Sequence, residues 1–286
     1  MNIFENLVAN LSERCRVGTD PEFQYPPTYV NESDGLAYCS NCHTPRQMHL
    51  EFLGKDTTPW ISCTCIKEHY QQEQAMKRKQ EEYEHITRLR YDAFPNPTAQ
   101  NWRFDSDDHK GDTKSMNVMQ NYSKNFKSFY EKGAGLLVYG NVGVGKSFAS
   151  ACIANELIDK GIPCLMTDFS RIINALTGMF QGKQDYIDNL ISYDLLVIDD
   201  LGVQRATPYA NEIVTNVIDA RVMSKKPLIV TTNLTPEELL GAKEITYQRT
   251  LSRLFEHCIP IDFKGTDRRR SGGVKQDTEL RQLLGI

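Results

Sequence analysis

The chain has 286 residues, 40% apolar and 24% charged, the make-up of a globular protein with room for one large or two modest domains. No apolar run approaches the roughly 20 residues of a membrane span, which excludes a membrane-spanning class and points to a cytoplasmic protein. The net charge of −4 excludes a polycation that finds nucleic acid by bulk charge, so any such contact must use a local patch, such as Arg268-Arg269-Arg270 near Lys264 and Lys275.

Met1 to Leu11 lacks the basic start and long apolar core of a secretory signal. Its apolar residues Ile3, Phe4, Leu7, Val8 and Leu11 fall at helical spacing. They predict a short amphipathic helix, packed on its own domain or offered to a partner. Without an export signal, clustered cysteines read as metal ligands rather than disulfides. Cys39-x-x-Cys42 is followed after 20 residues by Cys63-x-Cys65. Two close pairs separated by a loop make a tetrahedral thiolate cage, and the pairing favours zinc over an iron–sulfur cluster. The first pair sits in a tight knuckle; Trp60-Ile61-Ser62, before the second, is expected to be a strand. Four thiolates close the coordination sphere, so the site is structural. His43, His49 and His69 lie nearby, and one could replace a cysteine as ligand, but they are read as solvent-facing and left out of the set. Cys152, Cys164 and Cys258 are expected in the core, and Cys15 has no assigned role. So small and polar a region needs the metal as its core.

Lys67 to Arg90 is dense in Gln, Glu, Lys and Arg and predicts an exposed connecting helix. Phe94-Pro95-Asn96-Pro97 stops it. The polar stretch Asp105 to Asp112 is a second loop. The domains are therefore drawn as 1–92, zinc-binding, and 93–286.

Beyond that boundary, short apolar strands alternate with helices, which predicts an α/β fold with a parallel sheet. Gly135 to Tyr139 is the first strand. Residues 140–147 then read Gly140-Asn141-Val142-Gly143-Val144-Gly145-Lys146-Ser147, a complete G-x-x-x-x-G-K-[ST] phosphate loop, and a helix follows from Phe148 to Lys160. The glycines let backbone N–H groups converge on a phosphate chain, and the helix N-terminus adds its positive end. Lys146 supplies charge to the β/γ-phosphates, and the Ser147 hydroxyl can ligate Mg²⁺. Ile162 to Phe169 is a strand and Ser170 to Phe180 a helix. Leu195-Leu196-Val197-Ile198-Asp199-Asp200 is an apolar strand ending in two acids. Asn211 to Met223 is a helix, and Pro227 to Asn233 a strand with a polar tip. Ligands bind at the carboxyl ends of such strands. The loop, Asp199, Asp200 and Asn233 should therefore converge there. Asp199 is placed to hold Mg²⁺ with Ser147; Asp200 points elsewhere, toward an attacking water, as base or orienting group. Asn233 can hydrogen-bond that water or the γ-phosphate.

This motif order, continued by Leu201-Gly202, Thr231-Thr232-Asn233 and Arg249-x-x-x-Arg253-Leu254, resembles the AAA+ ATPases over about residues 94 to 275. More narrowly it is similar to the DnaC/IstB group of helicase loaders and transposition helper ATPases. The resemblance implies an AAA+ P-loop domain that binds ATP and Mg²⁺ through Gly140 to Phe148. It makes Asp199 the Walker-B metal ligand and Asn233 sensor 1. Asp200 stands where many AAA+ proteins have Glu, although members of this group also use Asp. Arg253 looks like an arginine finger acting on a neighbouring subunit, which implies self-association. Arg269 matches the sensor-2 arginine best, with Arg268 and Arg270 as alternatives. Loaders similar to the DnaI type carry a zinc domain ahead of the ATPase core and use it to grip the helicase; transposition helpers generally lack one. Cys39, Cys42, Cys63 and Cys65 therefore tilt the resemblance toward an ATP-dependent loader that places a hexameric replicative helicase on single-stranded DNA. Several phage replication proteins look similar. Phe180, Lys183 and Tyr186 are candidates for the strand contact. The alternatives are a helper ATPase that binds duplex DNA and an adaptor that ATP switches with negligible turnover.

Overall fold

The computed structural model describes residues 10, 12–13, 15, 23–52, 54–107, 113–202, 207–241, 245–268 and 281–285. The predicted amphipathic helix falls mostly outside them, as do Arg269, Arg270 and Lys275. The chain forms two compact units, Met1–Glu82 and Tyr83–Ile286. The division falls inside a helix, ahead of the prolines from which a boundary at 92/93 is expected. Backbone bonds run unbroken past residue 82, so the chain has no local break to mark it.

The first unit holds two small antiparallel hairpins. In one, β1 (Thr28–Val30) pairs with β2 (Ala37–Cys39); in the other, β3 (Leu50–Phe52) pairs with β4 (Lys55–Thr57). Its described core is small: Cys39, Cys63 and Ile66 are buried, with Phe23, Tyr25, Cys42, Cys65 and Tyr70 packed around them. The strand expected at Trp60-Ile61-Ser62 is absent. Trp60 makes a single isolated bridge to Gln47, and the Ile61 N–H donates to Arg46 O at 2.7 Å. The Trp60 amide instead donates to the Ser12 hydroxyl, so no ladder forms. Arg46, 2% exposed, lies over the Trp60 ring at 5.6 Å.

Helix α1 (Thr64–Ala93) runs for 30 residues. Its exposed residues from Gln71 to Glu84 carry charge on all sides, as a solvated helix does. It stops one residue before Phe94-Pro95, where proline forbids continuation.

In the second unit, α2 (Thr113–Lys124) and α3 (Phe126–Lys132) lead into β5 (Gly135–Gly140). Then come α4 (Lys146–Ile158), β6 (Cys164–Asp168), α5 (Phe169–Gly178), α6 (Lys183–Ser192), β7 (Leu195–Leu201), α7 (Pro208–Met223) and β8 (Leu228–Thr232). The last elements are α8 (Pro236–Leu240), α9 (Ile245–His257) and β9 (Cys258–Phe263). The five strands form one parallel sheet in the order β6-β7-β8-β5-β9. Each expected core strand and helix is present, with ends shifted by a few residues. Helix α4 starts at Lys146 rather than Phe148 because Gly145, at φ 106°, caps it.

Period-two alternation explains why the strands read as unbroken apolar runs. Leu136, Val138, Leu195, Val197 and Ile229 pack on one face with Ala149, Ile153 and Leu157. Leu137, Leu196, Ile198, Leu228 and Val230 pack on the other with Ile172, Val214, Val217 and Leu254. Both faces are covered, which leaves the strand ends as the place for polar chemistry. At the amino ends of β7 and β8, Arg221 is fully buried. Its guanidinium donates to the carbonyls of Ile191, Tyr193, Asp194 and Pro227.

Candidate functional site

The phosphate loop joins the end of β5 to the start of α4. Gly140, Gly143 and Gly145 all have positive φ, and Val144, 2% exposed, anchors the loop in the core. Lys146 turns back over the loop. Its Nζ donates to Gly140 O at 2.7 Å, Asn141 O at 2.8 Å and Asn233 Oδ1 at 2.8 Å. The Ser147 hydroxyl donates to Asp199 Oδ1 at 2.9 Å. Burial pushes the Asp199 carboxyl above the usual carboxylate range, against the hydrogen bonds from Thr231 and Ser147. A hydroxyl and a carboxylate this close are hard oxygen donors of the kind Mg²⁺ takes.

Asp200 follows with φ 56° and an exposed side chain. The ladder to β8 shifts register between Ile198 and Leu201, so a bulge interrupts the strand at the two acids. A cleft of about 310 Å³ opens over the loop, within the size range of small-molecule sites. Gly143, Gly145, Lys146, Ser147, Asp200 and Asn233 line it. The structure thus brings together the three segments expected to converge: Gly140 to Phe148, the Asp199-Asp200 pair, and Asn233.

One lining residue, Trp102, and one pairing, Arg268 with Asp107, were not legible beforehand. Trp102 lines the same cleft, with its ring 5.7 Å from that of Phe148. Being one of two tryptophans in the chain was its only prior signal. Arg268 also lines the cleft, and its guanidinium meets Asp107 at 2.7 Å. The Asp107 side chain is only 3% exposed, so the pair is partly buried. The Arg268 N–H donates to Gly143 O at 3.0 Å, which places the start of the triple-arginine run against the phosphate loop. Arg269, the residue favoured for that role, lies outside the described residues.

Arg253 sits on α9, half-exposed and outside the cleft lining, where it pairs with Asp219 on α7 at 2.5 Å. Phe180 is fully exposed after α5. Lys183 lies 5.7 Å over the Tyr209 ring, and Tyr186 packs partly against the core.

In the first unit the sulfurs of Cys39, Cys42, Cys63 and Cys65 lie within 4.8 Å of one another. Sulfurs about 2.3 Å from a central zinc would stand a little under 4 Å apart, so the cage has the right size. The knuckle forms because the His43 N–H donates to Cys39 O and the Cys39 N–H to Thr44 O, both at 3.0 Å. Cys63 and Cys65 flank the first residue of α1. Burial opposes ionisation of Cys42, but hydrogen bonds from the Thr44 hydroxyl and from backbone groups outweigh it and hold the thiol at about 5. Cys65 is pushed up to about 12, chiefly by its hydrogen bond with Cys42 and then by burial. Four thiols this close cannot all ionise unless a cation balances them, and the donor set fits zinc.

A family model described as IstB-like ATP binding protein matches residues 55–275. The chain belongs to the IstB-like ATP-binding family. Its phosphate loop, Gly140 to Ser147, lies inside the matched span. Over 172 residues this IstB-like chain is 28% identical to the replicative helicase loader DnaI of Bacillus subtilis (strain 168), a match covering 55% of each chain. Over 141 residues it is 30% identical to the replicative helicase loader DnaC of Escherichia coli (strain K12), covering 47% of this chain and 58% of that one. The match therefore spans little more than half of these relatives' length. The crystal structure of DnaI aligns with a TM-score of 0.52 at 21% identity, covering 63% of this chain and 99% of that one. A DNA replication initiation factor aligns with a TM-score of 0.51 at 19% identity, covering 66% and 56%. These two likenesses concern the fold. Among the described residues, no helix is long and apolar enough to cross a membrane.

Proposed function

We propose that this IstB-like protein hydrolyses ATP and uses the cycle to load a hexameric replicative helicase onto single-stranded DNA. The observation that carries the reading is the convergence of Lys146, Ser147, Asp200 and Asn233 on one cleft, with Asp199 bonded to Ser147 beside it, in a chain that also holds a four-thiol cage. The names of the DnaI and DnaC relatives support the choice of a loader.

In this reading Lys146 exchanges its carbonyl partners for the β- and γ-phosphates. Ser147 and Asp199 hold Mg²⁺, which draws charge from the phosphate oxygens when bound. Asp200 orients the attacking water and accepts its proton; Asn233 fixes the γ-phosphate. Arg268 senses the phosphates from the C-terminal side, with Arg269 as the alternative. Arg253 faces outward and acts on the nucleotide of a neighbouring copy, so turnover depends on assembly. The thiol cage, with zinc, grips the helicase. The exposed Phe180 and the Lys183–Tyr209 pair offer a stacking and charge surface to single-stranded DNA.

Co-purification with a hexameric replicative helicase, with and without chelator, tests this. A complex that is lost on removing the metal is the expected result. A complex that survives in metal-free protein separates the thiols from the partner. The IstB-like family match also favours a second reading, a transposition helper ATPase. Stable filaments on duplex DNA, with no helicase complex, would establish that one instead.

A further inference from the structure

We propose that Thr231 is a positioning residue for the paired acids: its buried hydroxyl holds the β7 bulge that sets Asp199 and Asp200 to separate tasks. The inference depends on the reading that these acids act on bound ATP.

The strand register carries it. Ile198 stands opposite Val230, and Leu201 opposite Thr232. Asp199 and Asp200 therefore share the single partner position of Thr231. A regular ladder pairs residues one to one; the extra residue makes a bulge, and bulges re-aim side chains. The bulge needs Asp200 at φ 56°, where few residues other than glycine settle, although Asp is among the more tolerant.

Thr231 sits at the mouth of this bulge with no exposed surface. Its Oγ1 accepts the Asp200 N–H at 2.9 Å and donates to Asp199 Oδ1 at 2.5 Å. An amide can only donate, so the Thr231 oxygen accepts there and directs its own proton to Asp199. The one hydroxyl thus ties the backbone of one acid to the side chain of the other. The Ser147 hydroxyl meets the same Asp199 oxygen at 2.9 Å. A continuous path then runs from the Asp200 amide through Thr231 and Asp199 to the phosphate loop. Asn233 lies two residues beyond Thr231, so the same strand end sets both acids and the lysine's partner. The next hydroxyl, on Thr232, bonds the Leu201 carbonyl at 2.7 Å and closes the far side of the bulge without touching either acid.

Thr231→Val keeps the shape and removes both hydrogen bonds. The full-length chain should then bind ATP in EDTA within about twofold of wild type, because the loop and Lys146 are untouched. Its kcat should fall about tenfold or more, since small misplacements of catalytic groups carry penalties of that order. The Mg²⁺ concentration for half-maximal rate should rise several-fold. Thr231→Ser should recover most of both. Wild-type kcat and Mg²⁺ dependence in Thr231→Val would overturn the proposal. So would a Thr231→Ser variant as impaired as the valine, since packing would then be the cause. If Thr231→Val does not fold, Thr231→Ala takes its place against Thr231→Ser. If the wild type hydrolyses no ATP, the functional reading fails first. The positioning role is then judged on Mg²⁺-dependent ATP binding, which Thr231→Val must still weaken.

Discussion

Lys146 Nζ lies 2.8 Å from Asn233 Oδ1, so the phosphate-loop lysine is tied to the tip of β8. Two further contacts, to Gly140 O and Asn141 O, match the three protons of an ammonium. An arriving phosphate chain must compete with these partners. Lys146→Ala should abolish measurable ATP binding by calorimetry. Asn233→Ala should leave affinity within about threefold and slow phosphate release ten- to a hundredfold, the rough equivalent of one lost bond to a charged group. Equal losses of binding in both variants would remove Asn233 from the hydrolytic step.

The four-thiol cage yields a prediction confined to the first unit. Purified protein should carry one zinc per chain, and Cys63→Ser should lose it. Stripping the metal should expose the amides of residues 28–66 to hydrogen exchange while β5, β7 and β8 stay protected. Metal binding of this kind contributes folding energy directly. Undiminished protection in metal-free protein would show that the small core suffices alone.

Among the described residues of the second unit, Arg221 is the largest fully buried polar side chain. Burial lowers its guanidinium to about 10, against the opposing pull of Asp194. Arg221→Met leaves four carbonyls without their donor, a change expected to cost roughly 3–5 kcal/mol. For a unit of this size that is a fall in Tm of about 10 °C. ATP affinity of the folded fraction should stay unchanged, because the cleft lies at the other end of the strands. A Tm within about 2 °C of wild type would contradict this account.

Arg253 makes its ion pair with Asp219 at 2.5 Å rather than with any group lining its own cleft. Arg253→Ala should therefore bind ATP normally and fail to hydrolyse it. Mixed with Lys146→Ala, which keeps its arginine but binds no nucleotide, it should recover part of the activity. Absence of recovery over a range of mixing ratios would argue that Arg253 does not act in trans.

Trp102 offers an optical readout. With Trp60→Phe as background, ATP should change the emission of the remaining tryptophan saturably, with the Kd found by calorimetry. A silent Trp102 would place the bound nucleotide away from the Trp102–Phe148 wall.

The legible parts of this molecule are those whose chemistry is local. The phosphate loop needs eight consecutive residues, and the apolar strand ending in Asp199 announces its own burial. The thiol pairs are visible from spacing. The partner that holds the cleft arginine is a different matter: Arg268, one of three candidates by resemblance, meets Asp107 across 161 positions, and Asp107 lies in a stretch that reads only as a polar loop. Thr231 is legible only as a member of Thr231-Thr232-Asn233; its hold on the two acids is not, because the bulge that gives it meaning exists only once β7 and β8 pair. Trp60 failed as a strand residue for the converse reason. Its composition suits a strand, but its amide has a partner in the Ser12 hydroxyl and no ladder forms around it.

Gly143 has φ 78°, and a methyl group there would come within 1.8 Å of an Asp267 carboxylate oxygen. The close approach welds two stretches of polypeptide more than a hundred positions apart. Any rearrangement of residues 140–147 as nucleotide enters or leaves must drag Asp267 and Arg268 along. The loop and residues 267–268 must therefore fit one another in every conformation the loop adopts.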